Sequence, residues 1–480
     1  MSPAKKTIAK SFAISTLLTA SGLPVNVVRL IPFKMTDQFE DILAVLLEKA
    51  SKAGADAADA LIYRSVSHSV SVRLGEVEDI ERAEARDLGL RVMVGQRQAC
   101  VSTTDFDPIT LSDLAERAVD MAKLAPEDPY CGLAPGGELA KAPFEDFDLT
   151  DGQEPSTESL KDRALACEGA ALGVDGVTNS GGAGASYNLG QSWFATSHGF
   201  SGSSKGGSHG TSVSVVAGEG TAMERDYDYD SATHLEDLRS PEAIGARAGQ
   251  RTVHRLNPRK LESQTAPVIF DKRLSSSLLR PLASAINGGA ISRGTSFLKD
   301  KMGAQLFPTS ITITDDPTIK RGFGSSSFDG EGIRPLPLDV IKDGVLTTWI
   351  MNCAQSRQLG LTSNGRAKRG TSSPPGSGTT NFDLGPGGIT LEALYEETGK
   401  ALLVTDMFGP QINGNTGDYS VGCSGFWISG GKVGEPVSEI TIAGNLLDMW
   451  KDITPADDFE RRGSTNAPSL RIAQMTIAGN

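Results

Sequence analysis

A run of segments in which apolar and polar residues alternate, between residues 60 and 103, most constrains what this chain can fold into. Glycine interrupts the run at Gly75 and Gly95. Alternation with a period of two, broken by glycine turns, is typical of antiparallel strands joined by hairpins. Residues 39–53, just before the run, carry apolar side chains at helical spacing and end at Gly54. We therefore predict an antiparallel meander with an amphipathic helix over one face.

The remaining pattern divides the chain into two halves of different composition. Further helices are predicted at residues 108–124, 158–172, 235–256 and 274–286. Further strands are predicted between residues 184 and 229 and at residues 267–270, 310–314, 339–341, 345–350, 401–405, 419–428, 437–442 and 470–476. This order predicts an α+β protein with two domains, an α/β N-terminal domain at residues 35–255 and a β-rich C-terminal domain at residues 256–480. Residues 366–380, rich in Gly, Ser, Pro and basic residues, predict a mobile loop.

Residues 1–34 have two interpretations. Lys5, Lys6 and Lys10 precede a short apolar stretch, which resembles a signal peptide with a poor cleavage site. Alternatively, the start codon is misplaced and the protein begins at Met35, where Asp37 and Glu40 have the spacing of a capping box before the first helix. We favour the start at Met35.

Charge and cysteine content limit the class of protein. The 480-residue chain has a formal net charge of −13, which opposes non-specific binding to nucleic acid. Its five cysteines are far apart in the sequence, and no two of them have C-x-x-C spacing. Such a set is typical of reduced thiols in a cytoplasmic protein. No apolar run is long enough to predict a membrane span. We expect a cytoplasmic protein that binds neither nucleic acid nor membrane.

Residue chemistry alone predicts no convincing metal or nucleotide site. None of the five histidines has the spacing of a helical zinc motif; His198 and His209 could meet across a hairpin, but surface histidines are favoured. Asp226, Asp228 and Asp230 alternate as in a calcium loop, yet the required Gly and terminal Glu are missing. A strand with the aspartates on its outer face explains that pattern better. No phosphate-binding glycine loop is present.

A serine nucleophile is the other chemical candidate. Ser296 and Lys299 match S-x-x-K, in which the lysine would deprotonate the serine. The S-D-N and K-T-G elements that accompany S-x-x-K in such acylases are absent, so this short pattern is weak evidence for a serine nucleophile.

Several motifs in order resemble the TldD/PmbA family, in particular its PmbA branch, also called TldE. The motifs lie at residues 118–122, 125–130, 216–228, 315–317, 322–325, 328–332, 359–367, 380–381 and 416–422. The resemblance extends from Met35 to Gly479. It implies a C-terminal domain built around a barrel-like sheet. It also implies a partner, a TldD-like peptidase subunit, in a homo- or hetero-oligomer. The resulting complex would be a zinc-dependent peptidase with an enclosed cavity. That cavity would admit extended peptides, such as a microcin precursor or unfolded chains.

The same resemblance places a degenerate zinc motif in this chain. TldD-like subunits carry H-E-x-x-x-H on a helix at the start of the C-terminal domain and a cysteine near the C-terminus. The matching positions here are Ala283, Ser284 and Gly288, and residues 459–463 contain no cysteine. Alanine and glycine offer no ligand atom, and serine is a poor general base at neutral pH. We expect no catalytic residue and no metal in this chain, and zinc in the TldD-type partner.

The resemblance also suggests how such a subunit could hold a peptide. Thr380 and Asn381, at the start of a predicted strand, and Arg366 are the candidates for a groove wall, since an extended peptide can pair with a sheet edge. The basic residues 366–369 either attract acidic peptides or stay solvated. Gly288 and its neighbour either allow close backbone approach or simply end the helix.

Two other functions remain open at this point. The chain could be a hydrolase in its own right, using Ser296 and Lys299 or an unrecognised metal site. It could also be a peptide-binding protein that modulates gyrase-directed toxin systems.

Overall fold

The structure, a computed structural model, describes the backbone of Ser15–Leu18, Pro24–Val27 and residues 35–479, and side chains from Gln38 onward. The two N-terminal segments pair as short antiparallel strands. The predicted signal-like segment otherwise lies outside the described residues. In the part that the structure describes, no helix is long and apolar enough to cross a bilayer.

Apart from the two short N-terminal strands, the elements before residue 256 form one long antiparallel sheet and the helices that cover it. In chain order they are β1 (Ser15–Leu18), β2 (Pro24–Val27), α1 (Met35–Ala53), β3 (Ala57–Arg73), β4 (Glu76–Val94), β5 (Arg97–Thr103), α2 (Pro108–Leu124), α3 (Thr157–Leu172), β6 (Val177–Thr196), β7 (Ser201–Ala217), β8 (Glu224–Ala232) and α4 (Pro241–His254). The sheet has the strand order β5-β4-β3-β6-β7-β8.

Both pairs of helices cover the same face of this sheet. Ile62 lies in the core beneath α1 and α2, and Val70 lies in the core beneath α3 and α4. Both residues belong to β3 and are eight positions apart, so they point to the same side. The opposite face, at Leu61 and Phe194, contacts Phe328 of the C-terminal half. The sheet is therefore sandwiched between its helices and the second half of the chain.

The elements after residue 256 form a barrel, a second sheet and short helices. In chain order they are β9 (Gln264–Phe270), α5 (Lys272–Ala285), α6 (Gly288–Ser292), β10 (Ile313–Asp315), β11 (Leu338–Lys342), β12 (Val345–Leu346), α7 (Cys353–Leu359), β13 (Ala367–Lys368), β14 (Gly376–Ser377), β15 (Phe382–Leu384), α8 (Leu391–Thr398), β16 (Lys400–Ile412), β17 (Asp418–Ser429), β18 (Lys432–Asn445), α9 (Leu446–Lys451), β19 (Ile453–Pro455), β20 (Thr465–Asn466) and β21 (Leu470–Ala478).

Five of these strands close on themselves. They follow the order β18-β17-β16-β9-β21, and β21 also pairs with β18. Helix α5 packs its Leu278 and Leu282 into the same apolar core as Val268 and Val404 of the barrel strands. The predicted α+β fold with a barrel-like C-terminal domain is confirmed. A second sheet, in the order β12-β11-β10-β15-β20, packs beside the barrel.

Three local predictions are wrong for physical reasons. The helix predicted from residue 235 begins at Pro241, because Ser240 caps it and proline suits the first helical turn. The aspartates of β8 were expected on an outer face, but Asp226 and Asp228 are buried in ion pairs with arginines. Residues 366–380 contain the paired strands β13 and β14 rather than only a mobile loop.

Candidate functional site

Helix α5 starts at the Asp271 cap, whose carboxylate accepts the Arg273 N–H at 2.9 Å. One side of the helix is buried in the barrel core. The other side carries Ser277, Pro281 and Ser284, which line a cavity. The helix on which the resemblance places the degenerate zinc motif therefore does border a cavity.

The chain does not continue as one helix through the three motif positions. Helix α5 ends at Ala285, and Gly288 begins the short helix α6 after the Asn287 cap. Ala283 packs partly against the core, Ser284 is exposed, and Gly288 is buried. The helix predicted at residues 274–286 agrees with α5, and the third motif position, Gly288, lies beyond its end.

Side chains at these positions do not fit a zinc ion. A Cβ atom at Gly288 would lie 2.6 Å from Gln355 Oε1 and 3.0 Å from the Ile350 carbonyl oxygen. A histidine there would collide with its surroundings, and no ligand atom exists at Ala283. Throughout the described residues no group of three or more His, Cys, Asp or Glu side chains is placed to hold a metal ion.

We predict that Gly288→Ala lowers the free energy of unfolding by about 1–3 kcal/mol, the usual cost of overpacking. The added methyl group would contact a backbone carbonyl oxygen, which cannot move as freely as a side chain. Chemical denaturation followed by tryptophan fluorescence measures the change. Gly136→Ala is the control, because nothing lies within 4 Å of a Cβ atom there. Equal stability of both variants would show that the site around Gly288 can expand.

The cavity beside α5 measures about 440 Å³. Its other walls are Phe297 and the paired strands β16 and β17, through Met407, Ile412 and Tyr419. Sequence analysis missed it because β16 and β17 lie more than a hundred residues after α5 in the chain, and no local pattern joins them. Burial raises the pKa of the Tyr419 phenol, so this side chain is a neutral hydroxyl at physiological pH.

Ser296 borders the same cavity, but its geometry does not support S-x-x-K chemistry. Its hydroxyl donates a hydrogen bond to the Ala285 carbonyl at 2.6 Å and accepts one from the Leu298 N–H at 3.0 Å. Lys299 is exposed. The serine closes a turn, and its proton is directed to a carbonyl oxygen rather than to the lysine.

Arg366, a candidate for the groove wall within the predicted mobile loop, is instead completely buried. It forms an ion pair with Asp315 and donates to the carbonyl oxygens of Leu336 at 2.7 Å and Asn364 at 2.9 Å. Arg369 pairs with Asp59 of β3 at 3.1 Å. Of the predicted basic patch at residues 366–369, only Lys368 is exposed. These arginines therefore hold the fold together, and they do not form an open basic surface.

Thr380 and Asn381, the other groove candidates, are also buried. The Asn381 side chain donates to the Asp316 carbonyl at 2.7 Å and accepts the Gly324 N–H at 2.8 Å. Strand β15, which follows them, is paired with β10 on one side and β20 on the other. A peptide cannot add to β15, although Thr380 does line a cavity between the two halves of the chain.

The space between the two halves of the chain consists of two adjoining cavities of about 320 and 270 Å³. Both are bordered by Tyr63, Ser192 and Ser204 of the N-terminal sheet. The C-terminal half contributes Phe323 to the first and Lys368 to the second. No sequence pattern indicates these two cavities, because polar residues on the open face of a strand are indistinguishable from solvated ones.

Asp329 is a further residue that sequence analysis missed. Its carboxylate accepts backbone N–H groups of Glu331, Ile333 and Ala367, each at 2.9 Å. Burial and the neighbouring Glu331 carboxylate raise the pKa of Asp329 to about 7, against the lowering effect of these donors. The aspartate organises the loop at residues 328–333, and the spacing F-D-G-E-G is the signal that could have indicated a side-chain-stabilised turn.

Family models match most of the chain. The PmbA/TldA metallopeptidase domain 1 matches residues 58–122, the central domain residues 150–256, and the C-terminal domain residues 263–479. The chain is 37% identical over 442 residues to "Metalloprotease PmbA" of Escherichia coli O157:H7, covering 92% of this chain and 96% of that protein. It is 34% identical over 449 residues to "Metalloprotease PmbA homolog" of Haemophilus influenzae, with the same coverage of 92% and 96%.

Solved structures agree in fold. A Bacteroides thetaiotaomicron protein, described as a candidate modulator of DNA gyrase, superimposes with a TM-score of 0.86 at 27% identity, covering 93% of this chain and 100% of that one. TldE of Thermococcus kodakarensis has a TM-score of 0.82 at 22% identity, covering 91% of this chain and 100% of that one, and shows the same fold. The matching domain models, together with relatives above 30% identity along nearly the whole length, show that this chain belongs to the PmbA branch of the PmbA/TldD metallopeptidase family.

Proposed function

We propose that this chain is the non-catalytic subunit of a zinc-dependent peptidase, whose zinc is supplied by a TldD-type partner, and that the complex acts on extended peptides. The observation that carries the proposal is the region around α5. It has no ligand atom at Ala283, a lone hydroxyl at Ser284, and at Gly288 a backbone packed too tightly for any ligand side chain. Such a subunit requires a partner for hydrolysis.

The shape of the C-terminal half supports a role in assembly. The outer part of strand β16 extends beyond the buried part of the barrel, and its residues 408–412 are exposed. Among them are Phe408 and Ile412, large apolar side chains that are 53% and 39% exposed. Exposed apolar side chains on a paired hairpin are suited to contact with another subunit.

The deciding experiment compares the chain alone, a TldD-type homologue alone, and both together, on an unfolded peptide substrate. We expect the two chains to co-purify and cleavage to require the homologue's zinc motif. Replacing the glutamate of that motif by glutamine should abolish cleavage, whereas chelator should have no effect on the chain alone because it cleaves nothing.

Two outcomes would contradict the proposal. Chelator-sensitive cleavage by the isolated chain would show a metal site in this polypeptide. A pull-down that recovers gyrase or a toxin system, but no peptidase homologue, would favour the modulator function that the description of the Bacteroides protein suggests.

A further inference from the structure

The cavity beside α5 combines apolar walls with one exposed cationic side chain. Phe297, Met407 and Ile412 supply apolar surface, and Arg280 lies at the border. A volume of about 440 Å³ falls within the usual range for cavities that hold small ligands. It is large enough for the end of a peptide rather than for a single water molecule.

Arg280 is the charged group in this setting. Its side chain is exposed, and no carboxylate among the described residues lies within 4.0 Å of its guanidinium group. Arg273, on the same helix, is by contrast paired with Asp226 at 3.2 Å. In a chain with a net charge of −13, this unpaired guanidinium at the border of an apolar cavity offers a carboxylate a partner for charge-assisted hydrogen bonds.

Hydroxyl groups converge on the same space. Ser284 lies four residues after Arg280 on the helix, so both side chains are neighbours on one helical face. Tyr419 Oη donates a long hydrogen bond to Met407 Sδ, at 3.6 Å, and the neighbouring Ser277 Oγ has no hydrogen-bond partner within 3.5 Å among the described residues. A ligand with polar backbone groups beside a carboxylate could satisfy these hydroxyls.

We propose that this cavity binds the C-terminal residue of a peptide, with its apolar side chain between Phe297 and Met407 and its carboxylate on Arg280. The proposal rests on the proposed function only in taking a peptide as the ligand. A carboxylate attached to an apolar body is also the chemistry of a fatty acid, and the experiment separates the two sources.

The test is calorimetric titration of the isolated full chain with acetyl-Ala-Ala-Phe, as the free acid and as the C-terminal amide. We expect the acid to bind about tenfold more tightly than the amide, the loss expected for one charge-assisted hydrogen bond. Arg280→Gln should weaken acid binding to the level of the amide and leave amide binding unchanged. Arg293→Gln, which changes an exposed arginine that does not line the cavity, is the control.

A second variant guards against misinterpretation of the first. Ser284→Trp places a large side chain into the cavity from an exposed helical position, so folding is preserved and binding of both peptides should be lost. Equal affinity for acid and amide, absence of binding up to millimolar peptide, or binding unaffected by either variant would overturn the proposal. Tighter binding of decanoate than of the acid peptide would overturn the peptide assignment.

The outcome is independent of assembly. Loss of peptide binding in a chain that still co-purifies with a TldD-type homologue would remove this cavity and keep the proposed function. Arg280-dependent peptide binding by a chain that does not co-purify with such a homologue would keep the binding cavity and remove the proposed function.

Discussion

Arg366→Met is expected to lower the free energy of unfolding by about 3–5 kcal/mol, the cost of removing one partner of a buried ion pair. The Asp315 carboxylate would remain in an interior from which water is excluded, since both side chains have no exposed surface. The carbonyl oxygens of Leu336 and Asn364 would lose their donor as well. Denaturant unfolding followed by tryptophan fluorescence measures the loss, because Trp349, Trp427 and Trp450 report on this half of the chain.

Arg259→Met is the matched control. Arg259 pairs with Glu435 at 3.0 Å, but both side chains are largely solvent-exposed. Exposed pairs contribute about 0–1 kcal/mol, so this variant should unfold almost as the native chain does. A loss below 1 kcal/mol in Arg366→Met would show that water reaches Asp315, and would restore residues 366–369 as candidates for an open basic surface.

Asp226→Ala is expected to cost about 3 kcal/mol, the lower end of the range for breaking a buried ion pair. Asp226 lies on β8 of the N-terminal sheet and accepts from Arg273 at 3.2 Å and Arg255 at 3.4 Å. Arg273 also donates to the Thr405 carbonyl of β16, and Arg255 to Ser424 of β17. The carboxylate thus links the sheet to the barrel, and its loss leaves two buried guanidinium groups with fewer partners.

This link predicts a second, independent signal. Limited proteolysis within residues 256–263, between α4 and β9, should become faster in Asp226→Ala because the two halves of the chain would separate more readily. Glu224→Ala on the same strand is the control, since that carboxylate reaches Arg255 only at 3.7 Å. Unchanged proteolysis together with a large loss of stability would place the role of Asp226 within one half only.

Periodicity predicted most elements of the fold, and specific contacts explain where it failed. Helix α2 has the bounds predicted from its apolar spacing, and in the structure the Asp107 cap and Pro108 in the first turn define its start. The alternating run at residues 60–103 does not show that strand β4 is one unbroken strand from Glu76 to Val94, since its first half is exposed and adds nothing to the core. Backbone pairing with β3 keeps β4 continuous, whatever its side-chain pattern.

The candidate site was harder to predict, because its parts are brought together by tertiary structure. The partner of Arg366 lies 51 residues earlier in the chain, at Asp315, so a basic residue in a Gly-rich stretch resembled a solvated one. The cavity beside α5 joins a helix to a hairpin more than a hundred residues later. Only the identities at Ala283, Ser284 and Gly288 were visible from the sequence, through the family resemblance.

Ring closure in the C-terminal half has a consequence for how a guest polypeptide can be recognised. Because β21 hydrogen-bonds to both β9 and β18, the five strands β9, β16, β17, β18 and β21 have no open edge in the part of the ring where all of them pair. An incoming chain finds no unpaired row of backbone N–H and C=O groups there, and therefore cannot add to the ring as a further strand. Any recognition of a polypeptide by this closed part must therefore depend on side chains at its rim, which would make binding sensitive to the polypeptide's own sequence and to its terminus.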